Sequence, residues 1–358
     1  MNPSKLPGLC SLLSYAFVGF TIELDNEAEL RIQHWTTRSG GRVEGTWLCS
    51  AAMYWNCMRY VDAEGITLGE LKRLARTDTN LQGMVRWRYV TIEPKCEKAD
   101  RERMIRATVS GLQAREVWTP LFGKVEERWA ARFGQPLVAE IRERLTYLGS
   151  RFEYDLPDSM PILHYGFQTV LAGLEKKHGS SRCARSLDTL FKWPLIALAL
   201  RFEHNFPISL PLYANALRLV PPQGIPVSEL PKAAGVSKEG IAMATGFIER
   251  HGYGQVVTDP GGRLKIVTLT AKGKEVKEDA RSRLAKIEGG WRERFGEDTI
   301  DGLKTALYRI TGDGAAATSP LFEGLKPNPT NWRANIRPPF CLPNYPLVLH
   351  RGGYPDGS

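Results

Sequence analysis

The sequence lacks the short motifs that mark familiar catalytic or cofactor sites. It has no Gly-rich phosphate loop with Lys-Ser/Thr, no dinucleotide fingerprint, no H-E-x-x-H pair and no nucleophile elbow. Its histidines are dispersed without metal-ligand spacing, at His34, His164, His178, His204, His251 and His350. These absences argue against an enzyme and give no reason to expect a cofactor or a metal.

Cysteine is scarce, and long apolar runs are missing. The six cysteines form no C-x-x-C pair, which argues against both a disulfide framework and a zinc site and favours a reducing cytoplasm. The sequence has no run of 18 apolar residues, so we do not expect a membrane span. Lys5 and the apolar stretch 6–20 resemble a secretory signal, but Pro7 and Gly8 interrupt it and no small-residue cleavage site follows. We therefore expect a cytoplasmic protein with an N-terminal segment over residues 1–30.

One acidic cluster stands in that segment, where carboxylates alternate with other residues at Glu23, Asp25, Glu27 and Glu29. Such a cluster can bind a cation or transfer protons, but a solvated or ion-paired role is the commoner one. What the chain does have is size and positive charge. Its 358 residues suffice for two or three domains, and a net charge of +9 favours an anionic partner such as nucleic acid.

Residues 225–270 are the most informative stretch. Ser228 can cap a short helix that ends at Gly235, and Ser237 can cap a second helix. In the second helix an apolar stripe at three- and four-residue spacing predicts one buried face, formed by Ile241, Ala244, Phe247 and Ile248. The opposite face is predicted to point outward, with Lys238, Glu239, Ala242, Met243 and Thr245.

A hairpin is predicted directly after this helix pair. Residues 255–258 and 264–269 are rich in β-branched side chains, and the run Asp259-Pro-Gly-Gly262 supplies turn chemistry between them. The tip carries Arg263, and Lys265 follows closely. Two helices and a basic hairpin in this order are typical of a DNA-binding unit.

Residues 225–274 resemble the winged-helix domain of the MarR family of transcriptional regulators. The match is carried by Val227-Ser-Glu-Leu230, Gly235-Val-Ser237, Glu249-Arg-His-Gly-Tyr253, the tip from Asp259 to Arg263 and Leu269-Thr-Ala-Lys-Gly273. The resemblance implies that the second helix enters the major groove of double-stranded DNA through Ser237, Lys238 and Glu239, while Arg263 reaches a minor groove or a phosphate. Ala242 and Met243 depart from the polar or basic residues common there.

The arrangement of two helices followed by a hairpin occurs twice in the sequence. Tyr54, Asn56, Arg59 and Val61 match Tyr213, Asn215, Arg218 and Val220 at an offset of 159, and the later helices match at an offset of 162. The fold class predicted is mainly α with small β-hairpin wings (α+β). Two tandem winged-helix domains, at 31–150 and 186–311, would form an intramolecular pseudo-dimer, because MarR-family members generally work as homodimers. The chain would then act as a monomer or as a homodimer.

The first repeat is the degenerate one. Ten positions separate Arg76 from Arg86, whereas fifteen separate Gly235 from Arg250, so its second helix is shorter. The alignment places Arg103 opposite Arg263 as a further phosphate contact. A single helix is predicted over 111–133 and another over 270–295.

The remaining segments are a connector over 151–185, with a helix over 163–177, and a Pro/Gly-rich tail over 312–358. The tail contains enough apolar residues that we expect it to dock on a domain surface. With residues 21–27 and 81–84, it resembles an actinobacterial group of MarR-like proteins of unassigned role. MarR-family members often sense small lipophilic ligands, which implies an effector crevice near Trp47, Tyr54, Trp55 and Tyr213.

Three functions fit these observations to different degrees. The leading one is sequence-specific binding of double-stranded DNA by the second repeat. A non-DNA protein-interaction module is the alternative, because Ala242 and Met243 weaken the reading face. An enzyme that acts on nucleic acid is disfavoured, because no clustered catalytic set is present.

Overall fold

The computed structural model describes residues 3–32, 49–76, 81–94, 99–158, 160, 185–259, 261–262, 264–330, 332–335 and 339–347. Trp47, Arg263 and the helix predicted over 163–177 lie outside these ranges. The described chain is mainly helical with small antiparallel sheets, an α+β arrangement.

The first half contains seven α-helices and three strands within these ranges: α1 (Leu9–Arg31), α2 (Ala51–Met53) with a π-helical turn (Tyr54–Met58), β1 (Ile66–Thr67), α3 (Leu68–Ala75), α4 (Leu81–Arg86), β2 (Val90–Ile92), β3 (Met104–Ala107), α5 (Val109–Trp118), α6 (Leu121–Phe133) and α7 (Gln135–Arg151). The second half continues with α8 (Leu187–Glu203), α9 (Leu210–Asn215), β4 (Ile225–Pro226), α10 (Leu230–Ala234), α11 (Lys238–Arg250), β5 (Gly254–Thr258), β6 (Lys265–Leu269), α12 (Ala271–Phe295) and α13 (Glu297–Thr311).

The two sheets are built alike. Their strand orders are β1-β3-β2 and β4-β6-β5, and Ile66 pairs with Ile105 as Ile225 pairs with Val267. The helix that follows each sheet is capped in the same way. The Thr270 hydroxyl accepts a hydrogen bond from the Gly273 N–H at 3.1 Å, and Thr108 caps α5 with the same geometry.

Two left-handed backbone positions also recur. Gly235 (φ 67°) ends α10 and Gly252 (φ 68°) follows α11, while the matching positions in the first half are Arg76 (φ 52°) and Arg88 (φ 63°). A residue with a Cβ is strained in this region and glycine is not. The first half therefore keeps the turn geometry without the residue that suits it.

Helix α1 lies at the centre of the molecule. It packs on α8, α13 and α6, while α8 packs on α1, α7 and α12, and α7 meets α13. Pairs of helices from the two halves thus contact one another in a matched pattern around one shared core. This differs from the separate N-terminal segment expected over 1–30, because nearly every residue of α1 is buried. No helix in the described ranges is both long enough and apolar enough to span a membrane.

The single helix predicted over 111–133 is in fact two. Helix α5 ends at Trp118 and α6 begins at Leu121, because Pro120 has no N–H to continue the hydrogen-bond ladder. The equivalent run in the second half has no proline, and α12 is continuous over 25 residues.

The acidic cluster on α1 is buried and ion-paired. Glu23 accepts hydrogen bonds from Trp129 Nε1 at 2.9 Å and from Arg132 Nη2 at 2.7 Å. Arg333, from the C-terminal tail, lies 3.3 Å from Asp25 Oδ2 and 3.6 Å from Glu29 Oε2. Burial raises the pKa of the Asp25 carboxyl. Among the described residues no group of His, Cys, Asp and Glu is arranged to hold a metal ion.

Residues 339–347 of the tail pack on α1, α8 and α9. The Asn215 side chain donates to the Tyr345 carbonyl at 2.7 Å and accepts from its N–H at 3.2 Å. The Tyr345 hydroxyl donates to the Leu195 carbonyl at 3.1 Å, and Ser11 Oγ donates to Asn344 Oδ1 at 2.8 Å. Every hydrogen bond here joins distant parts of the chain, so this stretch is an integral part of the fold.

Candidate nucleic-acid interface

Helices α10 and α11 meet at a tight turn. Helix α10 begins at Leu230 after Glu229, one residue later than a helix capped by Ser228 would begin, so the predicted cap is wrong. Pro231 lies in its first turn, where a residue without an N–H is tolerated. It ends at Gly235 in the left-handed conformation, as predicted. The Ser237 hydroxyl accepts the Gly240 N–H at 3.1 Å, so the predicted cap of α11 is confirmed.

The outward face of α11 is smaller than expected. Lys238, Glu239 and Ala242 are exposed, but Met243 is half-buried and packs against the core. Thr245 is only 7% exposed, and its hydroxyl donates to the Ile241 carbonyl at 2.9 Å. The prediction that Thr245 points outward to DNA is therefore wrong, because the helix backbone uses its hydroxyl.

Strands β5 and β6 form the predicted hairpin. Asp259 closes its tip, since its carboxylate accepts the Leu264 N–H at 2.7 Å and its carbonyl accepts the Gly262 N–H at 2.9 Å. Lys265 is exposed on the strand that leaves the tip. Arg263, which was predicted to contact DNA from this tip, lies outside the described residues.

Contacts between side chain and backbone hold the hairpin against α11. The Glu249 carboxylate accepts the Val256 N–H at 3.1 Å, and the His251 ring stacks on Phe247 with 4.1 Å between centroids. Lys272 Nζ donates to the His251 carbonyl at 2.9 Å, which ties in the start of α12. These contacts join the helix, the hairpin and the start of α12 into one packed unit.

The unit carries moderate positive charge. Residues 225–274 contain seven Lys and Arg residues and four Asp and Glu residues. Lys238 and Lys265 are exposed, and neither takes part in an ion pair with any described residue. Two cations without carboxylate partners are available to an anionic ligand.

The first half offers a weaker version of this surface. Its second helix, α4, has six described residues, whereas α11 has 13. The Arg103 guanidinium donates to the Glu93 carbonyl from Nε at 2.9 Å and from Nη2 at 2.5 Å. The Arg103 guanidinium is therefore bound to its own hairpin, and its contact with a phosphate stays a prediction.

The residues predicted for an effector crevice do not come together. Tyr54 and Trp55 line a cavity of about 320 Å³, but Tyr213 stacks on Phe202 elsewhere, and Trp47 lies outside the described residues. The cavity is more polar than expected, because Arg59 and Asp188 also line it.

Sequence reasoning missed a buried ion pair behind this cavity. Lys192 Nζ donates to Asp188 Oδ2 at 2.7 Å and lies 3.9 Å from the centroid of the Trp55 ring. Desolvation lowers the pKa of Lys192 to about 8. Asp188 Oδ1 and Trp55 Nε1 are buried and have no hydrogen-bond partner in the part of the chain that the structure describes. The signal for this ion pair in the sequence was the placement of Asp188 and Lys192, two opposite charges four positions apart, in the apolar run 187–200.

No family model, curated protein or solved structure matches the chain. The similarity of residues 225–274 to the MarR family consequently depends on the sequence motifs alone. Function has to be inferred from the exposed side chains of α11 and its hairpin.

Proposed function

We propose that the chain is a transcriptional regulator that binds double-stranded DNA through α11 and the β5–β6 hairpin. The observation that carries the proposal is the pair Lys238 and Lys265, which are exposed and have no ion-pair partner among the described residues. They lie on α11 and on the hairpin, which Glu249 holds together. Phosphate contacts from lysine dominate the affinity of proteins for DNA.

The start of α11 supports docking on a phosphate or in a groove. Free N–H groups and the helix dipole at an N-terminus attract anions, and Lys238 adds a full charge there. Glu239 is exposed in the same turn, and a carboxylate at this position can accept a hydrogen bond from the amino group of cytosine.

Base reading by this helix is limited. Ala242 offers only a methyl group, which suits contact with a thymine methyl, and Thr245 is buried. Binding is accordingly dominated by phosphate contacts and by the shape of the DNA. Affinity should then fall steeply as the salt concentration rises.

The two halves support a winged-helix pseudo-dimer within one chain. Helix pairs α1–α8 and α7–α13 make within one chain the kind of helix–helix interface that MarR-family members make between two chains. Among the described residues, only the second half carries a long helix at the reading position, since α4 has six residues there and α11 has 13. One chain thus presents one complete DNA-reading unit, formed by α11 and its hairpin. The DNA site that the chain binds need not be symmetric.

Selection of bound fragments from sheared genomic DNA by the full chain, followed by sequencing, tests the proposal. We expect an enriched, asymmetric site occupied by one chain. A strictly palindromic site occupied by two chains would overturn the pseudo-dimer. Recovery of fragments without any enriched sequence would overturn the role as a sequence-specific regulator.

A protein-interaction module is the second candidate, and one observation favours it. Val257 on β5 and Leu264, directly before β6, are 40% and 46% exposed, and Ala242 adds an apolar group on α11. Exposed apolar side chains around a small charged patch are typical of a protein-binding surface. Capture of a defined protein partner that is lost on Leu264→Ser, with no affinity for DNA, would favour this function.

A further inference from the structure

A groove of about 690 Å³ lies between the C-terminal half of α8, the C-terminal half of α12 and the residues that follow α7. Its apolar floor is aromatic. The Phe152 ring lies 5.6 Å from Trp291 and 5.9 Å from Phe295, centroid to centroid. A groove of this volume with an aromatic floor can hold a small organic ligand.

The walls of this groove are strongly basic. Four of the lining residues are Arg or Lys, and the one carboxylate among the described lining residues, Glu153, is paired with Arg294 at 2.7 Å. Arg201 and Lys286 are exposed, and neither has an ion-pair partner among the described residues. Arg283 donates to the carbonyl oxygens of Arg201 and His204, which fixes its guanidinium against the wall.

The equivalent place in the first half is filled. Trp129 and Arg132 correspond there to Trp291 and Arg294, and both donate to the buried carboxylate of Glu23. The C-terminal tail lies against Arg132, since a Cβ added at Gly324 would collide with its guanidinium. In the first half, the Glu23 carboxylate and the C-terminal tail thus already occupy this place.

A second difference between the halves lies directly before Trp291 in the sequence. Arg128 in the first half forms an ion pair with Glu27 on α1, and its counterpart in α12 is Gly290. A Cβ added at Gly290 would meet nothing within 4 Å. At this position the second half therefore has free space, where the first half has an arginine side chain paired with a carboxylate.

We propose that this groove binds an amphipathic phosphate ester, with its apolar body on the aromatic floor and its phosphate between Arg201 and Lys286. The lining carries four cations and one carboxylate, so a single carboxylate ligand would leave most of the excess charge unneutralised. A phosphate monoester carries about −1.5 to −2 at pH 7 and offers three acceptor oxygens. This site does not depend on the proposed DNA surface.

Calorimetric titration of the full chain tests the assignment with three probes of matched design: octyl phosphate, octanoate and inorganic phosphate. We expect one octyl phosphate per chain, bound at least about tenfold more tightly than either of the others, because only it uses both the floor and the cations. Adenosine monophosphate, as a fourth probe, distinguishes an aromatic body from an alkyl one, since the tighter of the two identifies the natural class.

Variants decide whether the groove is the site. Lys286→Gln should raise the dissociation constant of octyl phosphate about tenfold, whereas Lys72→Gln, an exposed lysine on α3, should leave it unchanged. Ala197→Phe should abolish binding by filling the space above the floor. Lys286 is exposed, so its variant keeps the test valid if Ala197→Phe does not fold.

Two results would overturn the proposal. Equal affinity for octyl phosphate and octanoate would remove the argument from charge. Octyl phosphate binding that Lys286→Gln leaves unchanged, or no binding of any probe, would show that the groove is not the site.

Discussion

The carbonyl groups of Arg103 and Lys265 accept equivalent hydrogen bonds in the two sheets. Leu68 N–H donates to Arg103 at 2.9 Å, and Val227 N–H donates to Lys265 at 2.8 Å. Arg103 thus corresponds to Lys265, not to Arg263 as the sequence alignment predicted. Their side chains differ in use: Arg103 is 16% exposed and bound to the hairpin, whereas Lys265 is exposed.

These two positions should respond differently to truncation. Arg103→Ala removes two hydrogen bonds to the Glu93 carbonyl and should lower the free energy of unfolding by about 1–2 kcal/mol. Lys265→Ala should change it by less than about 0.5 kcal/mol, as exposed side chains usually do. Urea denaturation of both variants measures the difference, and equal losses would contradict the assigned roles.

Glycines at two places in α12 give a second matched pair. A Cβ at Gly273 would collide with the Tyr253 carbonyl, whereas a Cβ at Gly289 would meet nothing within 4 Å. We expect Gly273→Ala to destabilise the fold by more than about 2 kcal/mol, and Gly289→Ala to stabilise it by about 1 kcal/mol through helix propensity. A shift of the melting temperature in the same direction for both would be inconsistent with this packing.

The cap of α11 and the hairpin were predictable because they depend on neighbouring residues. Ser237, Gly235 and the turn at Asp259 act within a few positions of the chain. The exposure of Thr245 was not predictable in the same way. A hydroxyl at that position can face solvent or bond to the helix backbone, and the spacing of apolar residues does not distinguish the two.

The central position of α1 could not be predicted from its composition. Four carboxylates in about two turns suggest an exposed helix. Their partners, however, come from α6 and from the tail, more than 100 residues away for Arg132 and more than 300 for Arg333. Only the tertiary fold brings these cations to the cluster.

The burial of Lys192 should make the free energy of unfolding depend on pH. Its pKa is lowered to about 8 in the fold against 10.5 for an ordinary lysine, so the unfolded chain binds more protons between these values. The free energy of unfolding should therefore rise with pH from about 8 to 10.5, by up to about 3 kcal/mol from this group.

The double variant Lys192→Met with Asp188→Leu should lose this rise, because it replaces the buried ion pair with apolar side chains. Urea denaturation at several pH values compares the two proteins. Parallel curves over this pH range would show that Lys192 does not titrate as its burial implies.

The C-terminal tail should contribute strongly to stability through one side chain. Tyr345 is 1% exposed and donates to the Leu195 carbonyl, so Tyr345→Ala should cost about 3–5 kcal/mol. Phe340, 41% exposed on the same segment, is the control, and Phe340→Ala should cost less than about 1 kcal/mol. Similar losses in thermal unfolding would mean that the tail does not pack as described.

The salt dependence of DNA binding tests the proposed interface most directly. Fluorescence anisotropy would measure the affinity for a 30-base-pair duplex across salt concentrations, for the natural chain, Lys238→Ala/Lys265→Ala and the control Lys72→Ala/Lys326→Ala. If Lys238 and Lys265 both contact phosphates, the slope of log affinity against log salt concentration should be shallower by about 1.8 in the first variant, which is about 0.9 per contact. The slope should be unchanged in the control. An unchanged slope in the Lys238/Lys265 variant, or no affinity of the natural chain for the duplex, would contradict the account.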